Sequence, residues 1–172
     1  MEGHNPPMRT QGDVLADELE AKLRDIEATL RQASDAQWRA VCTPEGWPVG
    51  LVAFHLAFHM ERPAGWLEDA LAGKPPFEFS SAETDALNAA VAGYGILPSK
   101  SFVLGALAGA GSRIQATLRA MTDADFERVA LIDRSGGAGE AKVATVRGMM
   151  RVVMRRTDEH FATIRAAIAG AA

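Results

Sequence analysis

This sequence is poor in the residues that staple a chain, carry it across a membrane or coat nucleic acid. Of 172 residues only one, Cys42, is cysteine. An intramolecular disulfide is therefore excluded, and a reducing compartment is the simplest setting. No apolar run approaches the roughly 20 residues that a membrane-spanning helix needs. Lys and Arg together number 18 against 22 Asp and Glu, a net charge of −4, which leaves no basic footprint for nucleic acid. Internal repeats and low-complexity tracts are absent. The one glycine-rich stretch, Ser135-Gly136-Gly137-Ala138-Gly139, lacks the Gly-Lys-Ser/Thr and the strand–loop–helix setting of a phosphate cradle. Residues 1–11 are polar, contain proline and have no hydrophobic signal region, so they read as a flexible tail, His4 included. The expectation is a soluble cytoplasmic protein with a single domain over residues 12–170.

What the chain does have is helical periodicity. Leu15, Leu19, Leu23, Ile26, Leu30 and Ala33 recur at three and four residues behind Asp13, a candidate cap. Ser34 with Gln37 reads as a capping box for a short turn. A second long helix starts at Pro48, a favoured first-turn residue, and runs to about residue 71. Pro63 lies within it and removes the hydrogen bond to the carbonyl of His59, which predicts a bend. A short helix over about 80–92 has Ser80 or Ser81 as its cap. A third long helix covers about 99–121, where Gly105, Ala106, Ala108, Gly109, Ala110 and Gly111 suggest a close-packing seam. Residues 129–132 could be a short extended piece. The last helix, about 145–169, turns Val146, Met150, Val153, Thr157, His160 or Phe161, Ile164 and Ile168 inward. Four long amphipathic helices without convincing strands predict an all-α four-helix bundle with short extra helices in its connections.

The second long helix carries the chemistry. His55 and His59 stand four apart on one face of an otherwise apolar segment, and polar rings facing a core need a reason. Several stretches, in order, resemble the DinB-like family, including the mycothiol-dependent relatives of maleylpyruvate isomerase. They are Gly46-Trp47-Pro48-Val49-Gly50 followed by His55-Leu56; Asp85 with Asn88; Thr122-Asp123-Ala124-Asp125-Phe126; and the closing stretch His160-Phe161-Ala162-Thr163-Ile164-Arg165. The resemblance covers about residues 12–170. It implies a bundle that commonly binds a divalent metal through one residue of the second long helix and two, four apart, on the last. Transferred by position, His55 takes the first role and His160 the last, while Arg156 stands where the remaining ligand belongs. A guanidinium has no lone pair to offer, so that arrangement is broken.

Three readings stay open. In the first, His59 replaces the missing ligand, and His55, His59 and His160 hold zinc, nickel or iron with an open position for water or a thiol cofactor. Arg156 then pairs with the carboxylate or phosphate of a small anionic ligand. In the second, the fold and a polar pocket persist without a functional metal, which the positive charge of Arg156 favours. In the third, the histidines are ordinary residues and the protein acts through its surface. The resemblance also favours a homodimer. Cys42 reads as an inert buried thiol, and the Arg147, Arg151, Arg155 series as a solvated face.

Overall fold

The computed structural model describes residues 9–93, 96–135 and 141–171. Most of the expected tail, His4 included, and most of the glycine stretch lie outside these. Four long helices form the body: α1 (Gln11–Gln32), α3 (Val49–Leu71), α5 (Lys100–Ala120) and α6 (Val146–Gly170). Short helices α2 (Asp35–Arg39) and α4 (Ser81–Ala92) lie in the connections. Among the described residues no helix is long and apolar enough to cross a membrane.

The helix starts obey side-chain capping. Thr10, not Asp13, caps α1; Asp13 is the reciprocal partner three residues on, accepting from the Thr10 backbone N–H at 3.0 Å. Ser34 and Gln37 form the expected box for α2. Ser80, Ser99 and Thr145 cap α4, α5 and α6. Pro48 precedes the first turn of α3 instead of entering it, and the helix continues through Pro63, which is buried.

α5 packs against both α1 and α3, while α6 packs against α3 and more lightly against α1. Helices that follow one another among the long four are therefore not all neighbours, so the winding is not simple up-and-down. Leu19, Ile26, Leu30, Leu56, Met60, Leu67, Leu107, Ile114, Leu118, Met150 and Ile164 are fully buried in one continuous core. The expected small-residue seam on α5 narrows to Ala106, Ala110 and Gly111, with Gly105, Ala108 and Gly109 exposed. A Cβ on Gly111 would come within 2.3 Å of Leu23 Cδ1, whereas Gly105 and Gly109 face open space.

The connections hold more strand than the sequence suggests. β1 (Val41–Cys42) and β2 (Trp47–Pro48) form a tight antiparallel pair. β3 (Phe77–Phe79) runs parallel to β4 (Val129–Asp133), which pairs antiparallel with β5 (Lys142–Thr145). Two- to five-residue strands are too short to show an alternation. The parallel partners lie more than fifty residues apart in sequence, so only the tertiary fold reveals them.

The candidate site on helix 3

The site begins with how α3 is seated. Gly46, at φ 68°, closes the turn between β1 and β2, its N–H bonding Cys42 O at 2.8 Å. Gly50, in the first turn of α3, lies under the Trp38 indole, which an added Cβ would meet at 2.4 Å. Trp38 in turn donates through Nε1 to Pro98 O at 3.0 Å. These contacts fix the β1–β2 turn, with Glu45 in it, beside the inner face of α3.

From that face His55 and His59 project one turn apart, their rings nearly parallel (7°) with centroids 5.9 Å apart. His160 comes from α6 and meets both edge-on, its ring centroid 5.1 Å from that of His55 and 6.3 Å from that of His59. The three imidazoles thus share one space, with Trp47 edge-on to His55 at 5.6 Å. Glu45 reaches the same group from the turn. His160 Nδ1–H donates to its Oε1 at 3.4 Å, and the Thr163 hydroxyl lies 3.2 Å from the same oxygen. The contact ties His160 to a carboxylate through Nδ1, the way a carboxylate commonly orients an imidazole.

Burial pushes His55 down to about 4, helped by nearby His160, and pushes His59 down to about 4, helped by His55, His160, Arg156 and Arg62. Both rings are therefore neutral at pH 7 and can offer a lone pair. His55 Nδ1 is buried without a hydrogen-bond partner, as is Glu45 Oε2. Orphaned buried polar atoms are rare in folded proteins, and an ordered water, an ion or a functional role is their usual explanation. Cys42, fully buried nearby, has its thiol pushed up to about 11 by burial and by the Glu45 charge, so it stays protonated and inert.

A cavity of about 20 Å³ lies between α3 and α4, lined by His55, His59, Arg62, Thr84 and Asn88 among others. That volume is room for about one water. The Thr84 hydroxyl is also buried and unpartnered. Asn88 is thus part of the site wall, whereas Asp85, its companion in the sequence motif, is exposed. A larger open groove of about 510 Å³ runs between residues 40–44 and the end of α6, but no titratable side chain lines it. The smaller cavity has the chemistry.

Arg156 lies one turn before His160 on α6. Its side chain is 51% exposed and its Nη1 donates to Glu159 at 3.1 Å, so it stands at the rim and not among the rings. The solvated reading of the other arginines matches: Arg151 and Arg155 are exposed, and Arg147 pairs with Glu127. Glu45 and Arg62 escaped the sequence reading. Arg62 had a signal, since it follows His59 by three and His55 by seven on one helical face. Glu45 had none, being 115 residues from the histidine it contacts.

The fit to a metal rests on the donor set. Around a shared tetrahedral ion with nitrogen bonds of about 2.0–2.1 Å, ring centroids stand roughly 5 Å apart. The His55–His160 pair meets this spacing and His59 stands about an ångström wide of it. Accordingly, among the described residues no group of three His, Cys, Asp or Glu side chains is already set to hold an ion. Three imidazoles, two of them held neutral and one with an orphaned nitrogen, are the donor type that a divalent metal takes, while the spacing of His59 is wider than that of a bound trio.

A profile of the DinB superfamily matches residues 18–164, and the chain belongs to that superfamily. No curated protein matches it in sequence. Among solved structures it is similar to YfiT from Bacillus subtilis, described as a probable metal-dependent hydrolase with an unusual four-helix bundle topology. The similarity has a TM-score of 0.66 at 21% identity, covering 96% of this chain and 93% of the other. At that identity the match speaks for the fold, including a winding that is not the simple one.

Proposed function

We propose that this DinB-superfamily chain is a divalent-metal-dependent hydrolase or group transferase acting on a small anionic molecule. His55, His59 and His160 are its metal ligands. The observation that carries this reading is the convergence of three imidazoles from two helices around a buried, unpartnered His55 nitrogen. The description of YfiT as probably metal-dependent supports it from the side of the fold.

When bound, zinc, nickel or iron supplies Lewis-acid activation of a water or of a thiol. The protein residues do the rest. Glu45 holds His160 through Nδ1 and so fixes the ring beside the other two. Trp47 and the α4 wall restrict water around His55. Arg156 adds positive charge at the rim, close enough to act on His59.

The competing reading is a bundle that keeps the pocket but binds a small ligand without metal. Arg156 in place of the family ligand and the absence of a ready-set trio among the described residues favour it. Elemental analysis of protein purified without a metal-affinity tag separates the two. The metal reading expects near-stoichiometric zinc, nickel or iron. Less than a tenth of an equivalent, unchanged after adding metal, would overturn it. Arg156→His then asks whether the older ligand position still works: in a decayed site metal affinity rises, in a rebuilt one it does not. A homodimer belongs to the same proposal, and light scattering reads it directly.

A further inference from the structure

The cavity beside the histidines has a cation that no side chain among the described residues neutralises. Arg62 continues the His55–His59 face of α3 and is one of the residues lining the same cavity. Three rings hold it: Trp66 at 5.3 Å, Phe79 at 5.7 Å and Phe77 at 5.9 Å from its central carbon. Trp66 and Phe77 are themselves stacked at 5.0 Å, and β3 is tied down by its pairing with β4. Among the described residues Arg62 has neither a carboxylate partner nor a hydrogen-bond acceptor, although most arginines of this protein have one. Arg113 forks Glu68, Arg134 forks Glu78, and Arg147, Arg155, Arg156, Arg119, Arg24 and Arg31 are each paired.

Aromatic faces hold a guanidinium by its flat surface and leave its N–H edge free. That edge is the part that matches a carboxylate or phosphate with two parallel hydrogen bonds. A half-buried, positioned and unpaired guanidinium one turn from His59 is a built oxyanion receptor. We propose that Arg62 is the residue that recognises the substrate, and that the substrate carries a carboxylate or phosphate. The oxyanion sits on the Arg62 fork, with Thr84 and Asn88 opposite, and the reacting end extends toward His55, His59 and His160. The inference names the substrate class of the site proposed above, and rests on that reading for the reaction but not for the anion. As folded, the cavity has room for a water, so the anion enters by displacing it and shifting α4 outward. Of the residues of α4 only Val91 is buried, so this shift exposes little apolar surface.

The test is an NMR titration of the as-purified chain with inorganic phosphate and, separately, acetate at constant ionic strength. It is followed on the Trp66 indole N–H and the histidine ring signals. Saturable shifts are expected with at least one of the two anions. Arg62→Met keeps the stem against the rings and removes the fork, and is expected to weaken binding roughly tenfold or more, the usual loss for a charge-assisted bond. Arg62→Lys keeps the charge without the fork and is expected to fall between the two. Arg151→Ala, on the solvated face of α6, is expected to stay within twofold of the parent. No saturable shift in the parent, parental affinity in Arg62→Met, or a loss in Arg151→Ala would each overturn the assignment. Should Arg62→Met fail to fold, parental affinity in Arg62→Lys overturns it equally. Metal content measured on the same samples keeps the two proposals apart. Anion binding that depends on Arg62 in a metal-free protein sinks the metal and leaves the receptor, while stoichiometric metal with indifferent anions does the reverse.

Discussion

Helix α3 has two faces of opposite character. Toward α5 it is dry and complete: Val52, Leu56, Met60 and Leu67 are fully buried, and at the edge Arg113 forks Glu68 while also reaching Glu61. Toward α4 and α6 it carries His55, His59 and Arg62, with an unpartnered ring nitrogen, an unpaired guanidinium and a small cavity. One face has every polar demand met and supplies stability. The other leaves demands that the described side chains do not meet, and an ordered water or a bound ligand is what would meet them.

Substitutions on the two faces sharpen that contrast. The largest effect belongs to the dry face: Leu56→Ala removes a fully buried side chain and should cost about 2–5 kcal/mol of stability, seen as a lower melting temperature. His55→Leu on the other face fills similar space without the orphaned nitrogen, so the same thermal melt should show no comparable loss while metal uptake disappears. Equal losses in both variants would erase the distinction.

Glu45→Gln comes next. The amide keeps the shape but weakens the hold on His160, and metal affinity by competitive chelation should drop about 10–100-fold, as for other outer carboxylates. An unchanged affinity would mean that Glu45 serves only the turn.

The smallest effect is with acid. His55 and His59 fall to about 4 in the folded protein against an ordinary value of 6.5. The unfolded chain therefore binds more protons between these values, and stability is full above about 6.5 and declines as pH drops toward 4. Both rings keep some solvent contact, which trims the effect. A melting temperature that falls between pH 7 and 5, with a flatter slope in His55→Leu, is expected. A flat profile in the parent would show that these rings are not held neutral by burial.

Much of the architecture was legible because helical packing writes itself into a periodic pattern. The inward residues of α6, Val146, Met150, Val153, Thr157 and Ile164, are buried as their spacing predicts. The capping of α1 shifted by a turn because Thr10 and Asp13 are reciprocal partners and either residue type can open a helix. The glycine seam on α5 was misjudged for a different reason. Small residues permit a close neighbour but do not summon one: Gly111 meets Leu23, whereas Gly105 and Gly109 face open space. In the site, the sequence singled out His55, His59, Arg156 and His160, three of which the fold gathers and one of which it leaves at the rim. The contribution of Glu45 was invisible.

By itself, then, the sequence determined that this chain folds as a helical bundle and that one helix face bears imidazoles, since both follow from spacing along a single segment. Tertiary structure alone decided which charges are satisfied. Arg113 finds Glu61 and Glu68 on another helix, whereas Arg62 is gripped by Trp66 of its own helix and by Phe77 and Phe79 of β3 and finds no anion among the described residues. Periodicity is a local property of the chain. Neutralisation depends on what long-range packing brings within a few ångströms, and one sequence position cannot carry that information.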